Sequence, residues 1–165
     1  LLYGLRQDYI GKIFFEKTNI QTFNTNAWAT IRQKKLSIVF QDLRLFAHLT
    51  AEENILANAY LTESKPDTKK ISQMAERLQI AHLLQNKKKT QLFSYGERQR
   101  IAIIRALVQP FEWLLLDEPF SHLDAENVRL ASQLIAETCQ TQGAGFILTS
   151  LGYDYPLPFD EMLSL

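Results

Sequence analysis

The 165-residue chain has one cysteine, Cys139. That excludes an internal disulfide and fits a reducing compartment. Because Cys139 stands in an amphipathic helical stretch, it is expected to be a packed thiol rather than a nucleophile. Neither charge sign is in excess: eighteen Lys and Arg residues balance eighteen Asp and Glu residues. Nothing global therefore points to a nucleic-acid or membrane-surface binder. The longest apolar runs are only a few residues, such as Trp113 to Leu116, far short of a bilayer span. No basic segment precedes an apolar core as in a secretory signal, and there is no internal repeat or low-complexity stretch. The first residues, Leu1-Leu2, read as the interior of an apolar segment, so the sequence is expected to start inside a domain.

What is present suits one compact domain with a real core. The hydrophobic fraction is 46% and the charged fraction 22%, both ordinary for globular proteins. Gly11 to Phe15 and Leu36 to Phe40 read as strands, with a polar, turn-like stretch from Thr18 to Thr30 between them. Thr50 and Glu53 form a capping-box pattern ahead of Ile55, Leu56 and Ala59. Asp67 can cap a further helix whose Ile71, Met74, Ala75 and Leu78 recur at i, i+3, i+4 and i+7. Lys87-Lys88-Lys89 reads as a solvated loop face. A helix follows from about Gly96 to Val108, limited by Pro110. Trp113 to Leu116 has the continuous apolar character of a strand buried on both faces of a parallel sheet. Asp124 can cap a last helix, Phe146 to Thr149 reads as another buried strand, and Met162 to Leu165 as a closing one. Apolar strands alternating with amphipathic helices predict an α/β architecture.

Two segments carry chemistry. Leu114-Leu115-Leu116-Asp117-Glu118-Pro119 places two adjacent carboxylates where an apolar strand ends, the edge at which α/β proteins bind ligands. Neighbouring strand residues point to opposite sides, so one acid can hold a metal's water shell while the other orients an attacking water. Taken alone, the pair is equally well an acidic strand-to-loop cap. Phe93 to Arg100 holds Ser94, Gly96 and Glu97 at a helix start. Ser94 and Glu97 make a capping box, and the free N–H groups there also suit an anion.

Together these segments resemble ABC ATPases. Phe93 to Arg100 is similar to the signature motif, Trp113 to Pro119 to the Walker B strand, and Ser121-His122-Leu123-Asp124 to the D-loop. Val39-Phe40-Gln41-Asp42 is similar to the Q-loop, and Leu45 to Ile55 to the start of the helical subdomain. Leu1 to Leu5 and Gly11-Lys12-Ile13 resemble the helix after the phosphate loop and the strand beyond it. The resemblance implies a P-loop NTPase-like core with a mostly parallel sheet and an inserted helical subdomain. It divides a single, truncated nucleotide-binding domain (1–165) into core portions 1–44 and 97–165 and a helical subdomain 45–96 that ends on the signature. It implies ATP and Mg²⁺ as ligands, with Asp117 and Gln41 on the metal side, Glu118 polarising the hydrolytic water, and Gln41 also reaching that water and relaying nucleotide state to a partner. Ser94, Gly96 and Glu97 would meet the ATP of an opposite subunit, and Asp124 would lie at that dimer interface. The implied partners are a second nucleotide-binding domain and a transmembrane permease subunit, with no nucleic acid. The implied location is the cytoplasmic face of the cell membrane, and Leu45, Phe46 and Leu49 are candidate permease contacts.

The sequence departs from the family in four places. No G-x-x-x-x-G-K-[ST] occurs, and Gly11-Lys12 lacks the preceding glycines; a truncated chain is the expected reason. Leu151 stands where the family's switch histidine usually follows the strand, with Ser150 the nearest hydroxyl. His48, His82 and His122 read as ordinary surface or packed histidines. Tyr95 replaces a frequent Gly, so its side chain is expected to point away from nucleotide, and Glu97 replaces a frequent Gln. The expected function is ATP hydrolysis coupled to transport. A non-hydrolysing regulatory partner and a non-transport ABC ATPase remain alternatives.

Overall fold

The computed structural model describes residues 2–6, 8–61, 67–152 and 155–163. A three-stranded parallel sheet organises them, in the order β3 (Leu36–Val39), β4 (Trp113–Asp117), β5 (Gly145–Thr149). Register pairs Val39 with Leu116 and Asp117 with Thr149. β4 is central, and its Leu114, Leu115 and Leu116 are buried, which explains a run with no alternation. Between β3 and β4 the described elements are helical: α2 (Ala51–Leu61), α3 (Thr68–Arg77), α4 (Ala81–Leu84), a 3₁₀ turn Thr90–Leu92 and α5 (Tyr95–Leu107). α6 (Ala125–Gln142) joins β4 to β5. It ends at Gly143 in the left-handed conformation, φ 63°, a position that favours glycine.

The expected caps form. Asp67 accepts from Lys70 N–H and Asp124 from Asn127 N–H, while Thr50–Glu53 and Ser94–Glu97 bond reciprocally. One main core unites α2 to α6 with the sheet, and Ile71, Met74, Ala75 and Leu78 lie in it. α5 runs along the sheet with Ile101, Ile103, Ile104 and Leu107 fully buried, and Ser37 Oγ donates to the Ala106 carbonyl at 2.7 Å. Cys139 is buried in the same core, and burial pushes its thiol up to about 11. Lys87, Lys88 and Lys89 are exposed.

The N-terminal part differs from expectation. The strand expected over 11–15 is only β1 (Phe14–Phe15), paired antiparallel with β2 (Thr18–Asn19). The stretch expected to be turn-like contains a 3₁₀ turn Ile20–Thr22 and α1 (Thr25–Lys34). Asn24 caps α1 by accepting from Ala27 N–H, and the helix buries chiefly Trp28, which packs with Ile20 and Leu36 in a second core. Residues 2–6 form turns rather than a helix. Met162 and Leu163 are exposed and not in a strand; the rest of that expected strand lies outside the described residues.

Candidate functional site

Three expected site residues meet at the carboxyl edge of the sheet. Gln41 lies two residues past Val39, and Asp117 and Glu118 lie one and two past Leu116, its register partner. Parallel strands ending together deliver these side chains to one rim. The Thr149 hydroxyl donates to Asp117 Oδ1 at 2.8 Å, so the adjacent strand orients this carboxylate. Asp117 itself is exposed.

Glu118 has φ 47°, a left-handed conformation unusual for a residue with a Cβ. Its surroundings hold it there: its N–H donates to the Thr149 carbonyl at 3.1 Å. Its own carbonyl accepts from Gln99 Nε2 and from Ser121 Oγ, each at 3.3 Å. Strain of this kind persists only where the surroundings over-determine it, and it concentrates at functional sites.

Gln99 is the residue that sequence reasoning missed. It is buried in α5, and besides reaching Glu118 its Oε1 accepts from His122 N–H at 3.2 Å. One amide therefore spans the segment between the carboxylates and Asp124. The signal was available: Gln99 shares a helix face with Ile103, Ala106 and Leu107, all buried, and a polar side chain there must find partners.

The loop after β3 is also pinned from α5. Leu43 and Arg44 have φ of 60° and 44°, and Arg105 donates to their carbonyls at 2.6 and 2.8 Å. Desolvation holds Arg105 below its usual value.

Ser94, Gly96 and Glu97 sit at the exposed start of α5. Burial pushes Glu97 up, but hydrogen bonds from the Ser94 N–H and hydroxyl, with Arg100 and His82 nearby, outweigh it and leave Glu97 below its usual value. A Cβ added at Gly96 would lie 3.2 Å from the His122 carbonyl, so the helix start and the 121–124 segment approach closely. Tyr95 turns to its own chain, its hydroxyl donating to the Gln41 carbonyl at 2.9 Å. Asp124 is held low by the Asn127 N–H and side-chain amide. Asn127 in turn accepts from Arg100 at 2.9 Å. Leu151 is 83% exposed.

Oxygen-bearing side chains at a strand edge suit a magnesium ion that keeps waters and phosphate oxygens. Among the described residues no group of three His, Cys, Asp or Glu could by itself hold a metal ion. Asp117, oriented by Thr149, offers one carboxylate to such a partial, substrate-completed site.

Residues 1–121 match the ABC transporter family, a span that includes residues 39–42, 93–100 and 113–119. The chain belongs to the ABC transporter family. A curated relative is the lipoprotein-releasing system ATP-binding protein LolD of Buchnera aphidicola subsp. Schizaphis graminum (strain Sg), 35% identical over 156 residues. That alignment takes in 91% of this chain and 66% of LolD. Among solved structures, the post-hydrolysis dimer of the ATP-binding cassette MJ0796 with ADP and Pi is similar at TM-score 0.68 and 25% identity, over 84% of this chain and 61% of that one. A second dimeric structure of MJ0796, a bacterial ABC transporter cassette, also has TM-score 0.68, at 24% identity, over 84% of this chain and 62% of that one. The fold is accordingly that of an ABC cassette, an α/β P-loop NTPase core with a parallel sheet. The chain spans 66%, 61% and 62% of the lengths of these relatives.

Proposed function

We propose that this chain is part of the ATP-hydrolysing subunit of a membrane transporter and works with a second nucleotide-binding domain. The observation that carries this is the strained Glu118, fixed by Thr149 and Gln99 beside the oriented Asp117. In this reading Glu118 accepts the proton of the attacking water and holds that water against the γ-phosphate of ATP. Gln41 orients the same water. Asp117 and Gln41 hold the magnesium, which when bound neutralises phosphate charge. The start of α5, with Ser94, Gly96 and Glu97, meets the ATP of the opposite subunit, where N–H groups and the helix dipole suit phosphate. Asp124 faces the dimer interface. The division into core portions 1–44 and 97–165 with a helical subdomain 45–96 belongs to the same reading.

The permease is proposed to dock beside the Gln41 loop. Phe46 is 49% exposed there, flanked by half-buried Leu45 and Leu49. The proposed location is the cytoplasmic face of the membrane, beside that permease; none of the described helices is long and apolar enough to cross a membrane. One observation favours the non-hydrolysing alternative: exposed Leu151 offers no hydrogen bond at the switch position.

Turnover of ATP by the full-length protein, with and without Glu118→Gln, separates the two. Loss of the base is expected to lower kcat by about a hundredfold or more. Wild-type turnover that the substitution leaves intact would sink the role given to Glu118, and a wild-type protein without turnover favours the regulatory partner.

A further inference from the structure

Tyr95, the first residue of α5, makes contacts that helix initiation does not require. The cap is already supplied by Ser94 and Glu97, and tyrosine is a middling helix former. Yet the Tyr95 hydroxyl donates to the Gln41 carbonyl at 2.9 Å across 54 residues of chain. The ring centroid lies 4.0 Å from that of His122, the planes tilted by 54°. The Arg98 guanidinium lies 5.0 Å from the same ring. One half-buried side chain thus touches the loop after β3, the segment after β4 and the next turn of its own helix. The neighbouring positions act alike. Gly96 admits the His122 carbonyl, and Gln99 binds Glu118 and His122.

We propose that Tyr95 is a positioning residue that clamps the Gln41 loop and the Ser121–Asp124 segment to one helix end. This rests on the reading that Gln41 and Glu118 serve ATP hydrolysis. The phenol binds a backbone carbonyl, so it sets where the loop runs whatever the Gln41 side chain contacts. The ring against His122 sets the second segment. A rigid ring with two torsions does both at little cost in side-chain entropy. Slack in such a clamp displaces the groups around the attacking water, and small misplacements act on the chemical step more than on binding.

The test uses the full-length protein with Tyr95→Phe and Tyr95→Gly, each alone and combined with Gln41→Ala. It reads kcat and KM for MgATP, the thermal midpoint and amide exchange over residues 41–44. Tyr95→Phe keeps the ring and loses only the hydroxyl. It is expected to lower kcat about threefold to tenfold, with KM changed less than about twofold and the midpoint nearly unmoved. Tyr95→Gly is expected to lower kcat further. In the Gln41→Ala background Tyr95→Phe should add no further loss, and exchange over 41–44 should quicken in both single variants. Unchanged or raised kcat, losses that add to that of Gln41→Ala, or unaltered exchange would overturn the clamp. If the wild-type protein shows no turnover, the hydrolytic reading fails; the exchange data then decide the clamp alone, quickened supporting it and unaltered overturning it.

Discussion

Gln99 stands where the helix period calls for a hydrocarbon. Its amide joins the carbonyl of strained Glu118 to the N–H of His122, which fixes the turn that follows the two carboxylates. Gln99→Leu conserves approximate volume; the Glu118 carbonyl keeps Ser121, while the part-buried His122 N–H loses its acceptor. That loss costs roughly 1 kcal/mol, so the variant should lose some stability in denaturant titration and exchange the amides of residues 118–122 faster. A variant as stable as wild type, with unaltered exchange, would show that Glu118 is held by Thr149 and Ser121 alone. At this scale the sequence was half legible. Asp117 and Glu118 stand at the end of the apolar strand, as the run of leucines predicts, although the pair alone reads equally well as a strand cap. Gln99 was not legible: its spacing to Ile103, Ala106 and Leu107 puts it on an apolar face, but nothing local names the partners it finds there. Tyr95 was legible as an oddity, but its partners at residues 41 and 122 are set by tertiary structure.

Among elements, those with strong local signals were readable. Caps at Thr50, Asp67, Ser94 and Asp124 are one-residue chemistry with a fixed offset to the N–H they satisfy, so they survive without tertiary knowledge. α1 was missed because it buries little besides Trp28 and so lacks an apolar period; its helical state comes from the Asn24 cap and from packing on the second core. The caps also make a prediction about acid. Hydrogen bonds from Thr50 hold Glu53 below its usual value. The Asn127 bonds do the same for Asp124, and the Ser94 bonds outweigh burial for Glu97. A carboxylate whose folded-state value is depressed contributes stability above its unfolded value, and that contribution is lost as pH falls through the folded one. Stability should therefore hold between neutral pH and about pH 5, then fall as the pH drops below the ordinary carboxylate range. Thermal midpoints measured from pH 7 to pH 3 check this, and Glu97→Gln should flatten the acid limb. Separately, Ser94→Ala should cost about 1 kcal/mol at neutral pH; no loss would mean that the start of α5 is held by Tyr95 and Gly96 rather than by its cap.

Across the whole molecule, the helical insert has to be fastened to the loop that leaves the sheet, and Asn54 does most of this. It is fully buried. Its Oδ1 accepts from Phe46 N–H at 2.7 Å, and its Nδ2 lies 3.0 Å from the Phe46 and Thr50 carbonyls and 2.9 Å from Thr90 Oγ1. Thr90 completes the junction, its hydroxyl and N–H both donating to the Leu49 carbonyl at 2.6 and 2.8 Å. The loop after Gln41, the start of α2 and the approach to α5 are thereby joined at one point, and Arg105 fastens the same loop from the sheet side. Alternating apolar strands and amphipathic helices made the α/β class legible, since patterning reports which faces are buried. This junction was not legible, because residues 46, 54 and 90 are brought together only by the packing of α2 on α5. Asn54→Leu tests it: the side chain keeps its volume while the Phe46 N–H loses its acceptor and the Phe46 carbonyl, Thr50 carbonyl and Thr90 hydroxyl each lose one bond. The expected loss is roughly 3 kcal/mol, which for a domain of this size lowers the thermal midpoint by about 6–12 °C. Exchange should quicken over residues 46–50 and 90–91 before it does in the strands. A midpoint shift below about 2 °C would mean that the insert is fastened through its apolar contacts with α5, and that the loop carrying Phe46 is free to move independently of it.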